Sequence, residues 1–239
     1  MKWLVTICIL AGLTVFATPL ACASITDNFD DNSMDTSLWN LDEEDHSEVW
    51  LDETNDRLEL HATGEDTTAD ADYHANAWGF STTEDFSFKI DFEHEQIEPL
   101  IQDDNWDFSV HLGLAKDGDN KVFLEAGYGV AQQQNESHSF FYSAAIADGF
   151  EVSEGEKDKT QAEDNGTLYM SYDANNDELY LSDTGYWKND SWVTIQGLLK
   201  DDWNASVVFP YIGGWSDGVK LQSGKAYLDD FVVDSGTIV

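Results

Sequence analysis

Three acidic residues stand at every second position in Asp91-Phe92-Glu93-His94-Glu95. Side chains alternate along an extended strand, so Asp91, Glu93 and Glu95 share one face. Glycoside hydrolysis requires two carboxylates facing one sugar ring, one protonating the leaving oxygen and the other acting as nucleophile or base. This triplet is therefore the first candidate for chemistry. The competing reading is compositional. With 48 Asp and Glu in 239 residues, an acidic strand face arises without any catalytic role.

Other reaction types find less support. No Gly-x-Ser-x-Gly elbow occurs. The six histidines show neither His-Glu-x-x-His nor another ligand spacing. No glycine loop is arranged to cradle phosphate, and Gly213-Gly214 reads as a bend before Trp215. The two cysteines, Cys8 and Cys22, both fall in a segment expected to be removed, which excludes thiol, disulfide and Cys-ligated metal chemistry from the mature chain.

Two kinds of binding residue remain. If the first and last strands pair, Asp27, Asp30, Asp229 and Asp230 could converge on a structural Ca²⁺, an ion that takes carboxylate and carbonyl oxygens. Alternation sends Asp229 and Asp230 to opposite faces, so at most one should ligate. Asp173-x-Asn175-x-Asp177 matches the start of a calcium loop, but Glu178 and Thr184 occupy its glycine and glutamate positions, and a hairpin turn held by Asx hydrogen bonds is expected instead. Tryptophans offer the second possibility, because sugar C–H faces stack on flat apolar rings. Trp187, Trp203 and Trp215 lie near expected loops and are the candidate platforms; Trp39, Trp50, Trp78 and Trp192 read as core.

The elements that must position these residues are strands. Arg57–Ala62, Asp85–Glu93 and Trp106–Leu112 alternate apolar and polar residues, and no segment sustains a helical stripe. Turn signals separate them: Asp117-Gly118-Asp119-Asn120, Asp148-Gly149, Asn165-Gly166 and Asp217-Gly218. Leu168–Asp173 and Glu178–Ser182 flank a turn and form a hairpin. About a dozen strands in two sheets of roughly six are expected, an all-β antiparallel sandwich. Glu151 to Asp164 reads as an exposed loop.

Charge narrows the partners. Lys and Arg number 11, and the formal net charge is -37. Nucleic acid and anionic membranes or polysaccharides are disfavoured. The acidic shell suits a saline exterior, where salt screens self-repulsion. Residues 1–23 have the plan of an export leader: Lys2, an apolar run from Trp3 to Phe16, and Ala21-Cys22-Ala23 as an A-x-A exit, so the mature domain spans 24–239. A secreted, periplasmic or cell-surface location follows, with no membrane insertion after cleavage. Asn135, Asn165, Asn189 and Asn204 begin Asn-x-Ser/Thr sequons.

The opening Ile25-Thr26-Asp27-Asn28-Phe29-Asp30-Asp31 with Leu38-Trp39 resembles the first strand of exported bacterial domains with the concanavalin A-like lectin/glucanase fold. Ala226-Tyr227-Leu228-Asp229-Asp230-Phe231-Val232-Val233 is similar to their last strand, and the Leu168–Leu181 hairpin to their central one. The resemblance implies a jelly-roll sandwich whose end strands pair. It also implies a Glu-x-Asp-x-Glu strand in any member that is a glucanase. Asp91-x-Glu93-x-Glu95 departs from that order, with a shorter acid first. Val122–Tyr128 superficially resembles an alginate-lyase strand, but Glu125 replaces its lysine. The expected role is non-catalytic, lectin-like binding of a neutral polysaccharide or cell-surface glycan. Two alternatives stay open: a glucanase-type hydrolase using the 85–95 strand, and a structural or adhesion protein with no small ligand.

Overall fold

The structure is a computed structural model and describes residues 25–41, 48–64, 68–96, 106–130, 137–159 and 164–239. The expected leader and Asn135 of the first sequon lie outside the described residues, as does Asp103-Asp104-Asn105, an acidic run whose sequence reads as an exposed loop. Among those described, sixteen strands follow in chain order. They begin with β1 (Thr26–Asp27), β2 (Trp39–Leu41), β3 (Val49–Thr54), β4 (Arg57–Ala62), β5 (Thr68–Ala75) and β6 (Phe80–Ser81). Next come β7 (Phe86–His94), β8 (Asp107–Asp117), β9 (Asn120–Val130), β10 (Ser137–Ala147) and β11 (Phe150–Lys159). The last are β12 (Asn165–Asp173), β13 (Glu178–Ser182), β14 (Val193–Gln196), β15 (Val207–Asp217) and β16 (Ala226–Ser235).

They form two eight-stranded sheets. The first runs β14-β13-β12-β7-β16-β4-β3 with β1 on β16; the second runs β11-β10-β9-β8-β15-β5-β2 with β6 on β15. All of these pairings are antiparallel. The chain ends meet as expected, with Thr26 opposite Val232 and Asp27 opposite Phe231. Sixteen strands exceed the expected dozen partly because β1, β2 and β6 are two or three residues long, too short for alternation to register.

The alternation seen in the sequence does place the core. Phe86, Phe88, Ile90 and Phe92 of β7 point inward and are buried. Phe80 stacks on Phe86 at 4.5 Å, and Trp39 meets Phe231 edge-on at 5.0 Å, which ties β2 of one sheet to β16 of the other. Trp39 and Trp78 are core as expected, but Trp50 is exposed, stacked on His61 at 5.2 Å on the outer face of the first sheet. The Asp173–Asp177 turn is held by its Asx bonds, Asn175 N–H donating to Asp173 at 2.9 Å. Among the described residues, no helix is long and apolar enough to cross a membrane.

Two loop expectations are corrected. Of the acidic stretch from Glu151 to Asp164, residues 151–159 belong to β11, paired to β10 along most of its length, and 160–163 lie outside the described residues. Gly213-Gly214 is no bend: both glycines lie inside β15, hydrogen-bonded to β5 on one side and β8 on the other. The reason is crowding. A Cβ on Gly213 would lie 2.1 Å from Asp72 Oδ1, so the position requires the absence of a side chain rather than a turn.

Candidate functional site

That crowding marks the chemistry. Across the outer face of the second sheet, one rung reads Asp72 (β5), Gly213 (β15), His111 (β8), Glu125 (β9) and Tyr142 (β10), each opposite the next. With no side chain on Gly213, Asp72 and His111 reach over β15, and Asp72 Oδ1 lies 2.7 Å from His111 Nε2. The two carboxyls and the imidazole of the rung are buried: Asp72 is 9%, His111 6% and Glu125 8% exposed. Gly113 does the same on a neighbouring rung, its bare backbone leaving room for the Tyr211 ring. That ring stacks on His74 at 5.2 Å and meets His111 edge-on at 5.6 Å.

Burial drives the electrostatics. It would push Asp72 upward, but the His111 imidazolium outweighs it and holds the carboxyl well below the ordinary range. Burial likewise opposes charge on His111, and Asp72, aided by Glu125, raises its affinity for a proton above the ordinary value. Glu125 has no such full compensation; burial pushes it up to about 7 against the pull of His111. Asp107, opposite Asp217 across β8 and β15, is pushed up to about 7 by burial and by that like charge. Acidic adaptation to salt places carboxylates in water and does not explain buried ones. His111 Nδ1, Asp107 Oδ1 and Trp215 Nε1 are buried without a hydrogen-bond partner among the described residues.

Aromatic rings flank the rung. Trp215 of β15 stands opposite Asp70 and Ser109, and Phe123, Phe140 and Tyr142 are half-buried on β9 and β10. Phe123 lies 6.3 Å from His111 and 6.1 Å from Tyr142. The arrangement offers a carboxylate acceptor, an imidazolium, a carboxylic acid able to donate, and ring faces beside them.

The residues singled out in the sequence fall elsewhere, with one exception. Asp91 and Glu93 lie on the outer face of the first sheet, the opposite side of the sandwich. Thr167 donates to Asp91 at 2.5 Å, Tyr227 donates to Glu93, and Lys225 pairs with Glu95 just past the end of β7. The four aspartates expected at a calcium ion do not gather. Asp27 accepts from Trp39 Nε1 at 2.8 Å and Phe29 N–H at 3.0 Å, while Asp229 stands opposite Asp91. Among the described residues, no group of three or more His, Asp or Glu is placed to hold a metal ion. Trp203 is no exposed platform: it is 1% exposed, its indole donating to Ile146 O at 2.9 Å after a single π-helical turn, Leu198–Asp202. Trp187 is exposed, in the loop between β13 and β14 of the first sheet. Trp215 alone belongs to the rung's face. By sequence Glu125 stands out only as the residue in place of a lyase lysine, and Asp72 and His111 not at all; Asp70, Asp72 and His74 of β5 and Asp107, Ser109 and His111 of β8 share one outer face.

No protein-family model and no curated protein matches the sequence. Solved structures do match over most of the chain. A glycosyl hydrolase family protein from Mycobacterium fortuitum aligns with a TM-score of 0.53 at 15% identity, covering 90% of this chain and 98% of that one. A prokaryotic beta-1,3-1,4-glucanase (lichenase) derived from a mouse hindgut metagenome aligns at 0.51 and 12% identity, covering 88% and 98%. A Mycobacterium tuberculosis protein described as an immunostimulatory antigen and pseudo beta-1,3-glucanase aligns at 0.50 and 10%, covering 89% and 98%. At such identities the likeness is one of fold: this chain has the two-sheet jelly-roll sandwich architecture of those proteins, an architecture that hosts many functions.

Proposed function

We propose that this protein is an exported carbohydrate-binding sandwich that holds a neutral polysaccharide on the outer face of its second sheet without cleaving it. The observation that carries this reading is the Asp72–Gly213–His111–Glu125 rung, a buried polar centre ringed by Trp215, Phe123, Phe140 and Tyr142. Pyranose C–H faces stack on such rings, and hydroxyls need partners that accept and donate. The net charge of -37 favours an uncharged polymer over a uronate or nucleic acid. Fold neighbours named as glucanases make β-glucans the first polysaccharides to try.

The same rung argues against cleavage. Retaining hydrolysis wants two carboxyls about 5–5.5 Å apart with a sugar between them. Here the His111 ring stands between Asp72 and Glu125, and Asp72 is bound to it. One observation favours the hydrolase reading instead: Glu125 keeps a proton to about 7 while Asp72 stays ionised, the separation a general acid needs. The experiment is a panel of neutral polysaccharides, with binding and release of reducing ends followed on the same samples. Binding without release supports the proposal. Release of reducing ends that stops in Glu125→Gln supports the hydrolase.

A further inference from the structure

We propose a second, independent sugar platform at Trp187, on the opposite side of the sandwich, so that one chain can bridge two polysaccharide molecules. This rests on the binding reading given for the second sheet. Trp187 is 40% exposed, and its φ of 74° lies in the left-handed region that a bulky side chain rarely enters. Such a conformation persists only where its surroundings enforce it. Here they do. Trp187 N–H donates to Ser171 Oγ at 3.1 Å, and Trp187 O accepts from both Asp190 and Ser191 N–H at 3.1 Å. Ser171 is itself buried on β12, and Ser182 of β13 donates to Asp190 O at 2.7 Å. Tyr186 pins the other flank, donating to Asp234 and meeting Tyr169 edge-on at 4.9 Å. The loop from 183 to 192 is thus fastened to the outer face of the first sheet by three strands.

What this fastening displays is one indole. Tyr180 approaches it edge-on at 6.4 Å and 67°. Exposed Lys188, Asn189 and Asp190 follow it in the chain, and Lys188 bridges at 3.1 Å to Glu178, the carboxylate to which Tyr180 also donates. A protein-binding hot spot has an apolar surround depleted of charge. An exposed ring on a loop that also carries amide, carboxylate and ammonium groups suits a hexose, with the C–H face on the indole and hydroxyls on those polar groups. The backbone that carries the ring is held in place before binding, which lowers the ordering cost.

Trp187 and Trp215 stand on opposite outer faces, so one linear chain cannot lie on both at once. Two chains can, which makes the protein a cross-linker whose avidity appears only with polymers. The test uses the mature chain, a soluble mixed-linkage β-1,3-1,4-glucan, and its hexasaccharide, in high salt. The expected result is two hexasaccharides per protein by titration calorimetry. Trp187→Ala and Trp215→Ala each leave one, and either variant abolishes the rise in light scattering that the wild type causes with the polymer. Trp187→Gly separates binding from folding, because it removes the ring and relieves the left-handed backbone; its melting temperature should equal or exceed that of the wild type while one site is lost. One site that Trp215→Ala removes and Trp187→Ala leaves intact overturns the second platform and spares the first. A single site lost in Trp187→Ala alone overturns bridging and the second-sheet proposal. A folded wild type that binds no glucan overturns both.

Discussion

Asp72 and His111 meet at 2.7 Å although a whole strand runs between them, because that strand contributes only Gly213 at the crossing. A buried ion pair of this kind stabilises little by itself, since the desolvation of both charges offsets their attraction. Its consequence is positional: it fixes the imidazole beside Glu125 and closes the centre of the face.

Gly213→Ala therefore tests the crossing. A methyl there would lie 2.1 Å from Asp72 Oδ1 and 2.4 Å from Ala71 O, and the second of these is backbone that cannot swing aside. The expected cost is about 1–3 kcal/mol of stability, measured by urea unfolding. Gly118→Ala, at a turn position with open space around it, is the control and should cost far less.

The buried acids make stability depend on pH. Glu125 holds its proton to about 7 in the folded chain against an ordinary 4.5, and Asp107 to about 7 against 3.8. The folded form keeps protons that the unfolded chain has released, so stability falls as pH rises between those values and levels off above. Asp72 works in the other direction. Its contribution is present above the ordinary 3.8 and is lost as pH falls through its depressed folded value. His111, raised, contributes fully below 6.5 and loses that contribution as pH rises through its folded value. Unfolding free energy should therefore be higher near pH ~5 than near pH ~8, and Glu125→Gln should flatten the slope between them. An unchanged slope in that variant assigns the dependence elsewhere.

Arg57 is the single arginine of the sequence, and its position explains why it is there. It donates to Glu59 Oε1 at 2.9 Å and covers the Tyr227 ring at 3.9 Å. Glu59 is fully buried; burial pushes its carboxyl up, but hydrogen bonds from Ser223, Asn55, Arg57 and Gly224 outweigh this and lower it. Arg57→Ala strips the charge partner from a buried carboxylate and should cost about 3 kcal/mol. Arg57→Lys should recover only a fraction of that, because lysine lacks the planar fork. Chemical denaturation of the three forms decides it.

These findings also show which features of the architecture alternation made legible. It located the inward residues of β7 and the boundaries of β4, and turn chemistry located the β12–β13 hairpin. Neighbour relations were not legible. Asp72 and His111 are 39 residues apart, and only the crossover that inserts β15 between β5 and β8 brings them together. Gly213 was the available clue. A glycine flanked by strand residues signals close approach as well as a turn, and reading it as a bend concealed the rung. Trp203 was misplaced because a tryptophan between Asp202 and Asn204 looks solvent-bound by its neighbours, yet the π-helical turn before it rotates the indole inward.

With a formal charge of -37, self-repulsion should limit stability at low ionic strength. Melting temperature should climb with NaCl until the Debye length falls to about 3 Å near 1 M. A melting temperature indifferent to salt would remove the saline-exterior interpretation.

The most direct measurement is titration of the mature protein and of Trp215→Ala with mixed-linkage β-1,3-1,4-glucan in about 1 M NaCl, where repulsion is screened, with melting curves confirming that both are folded. Binding by the wild type, weakened at least about tenfold in the variant, a loss of about 1.4 kcal/mol, is the predicted result. A folded wild type that ignores the glucan, or a variant that binds it equally well, contradicts the assignment of this face as the glycan site.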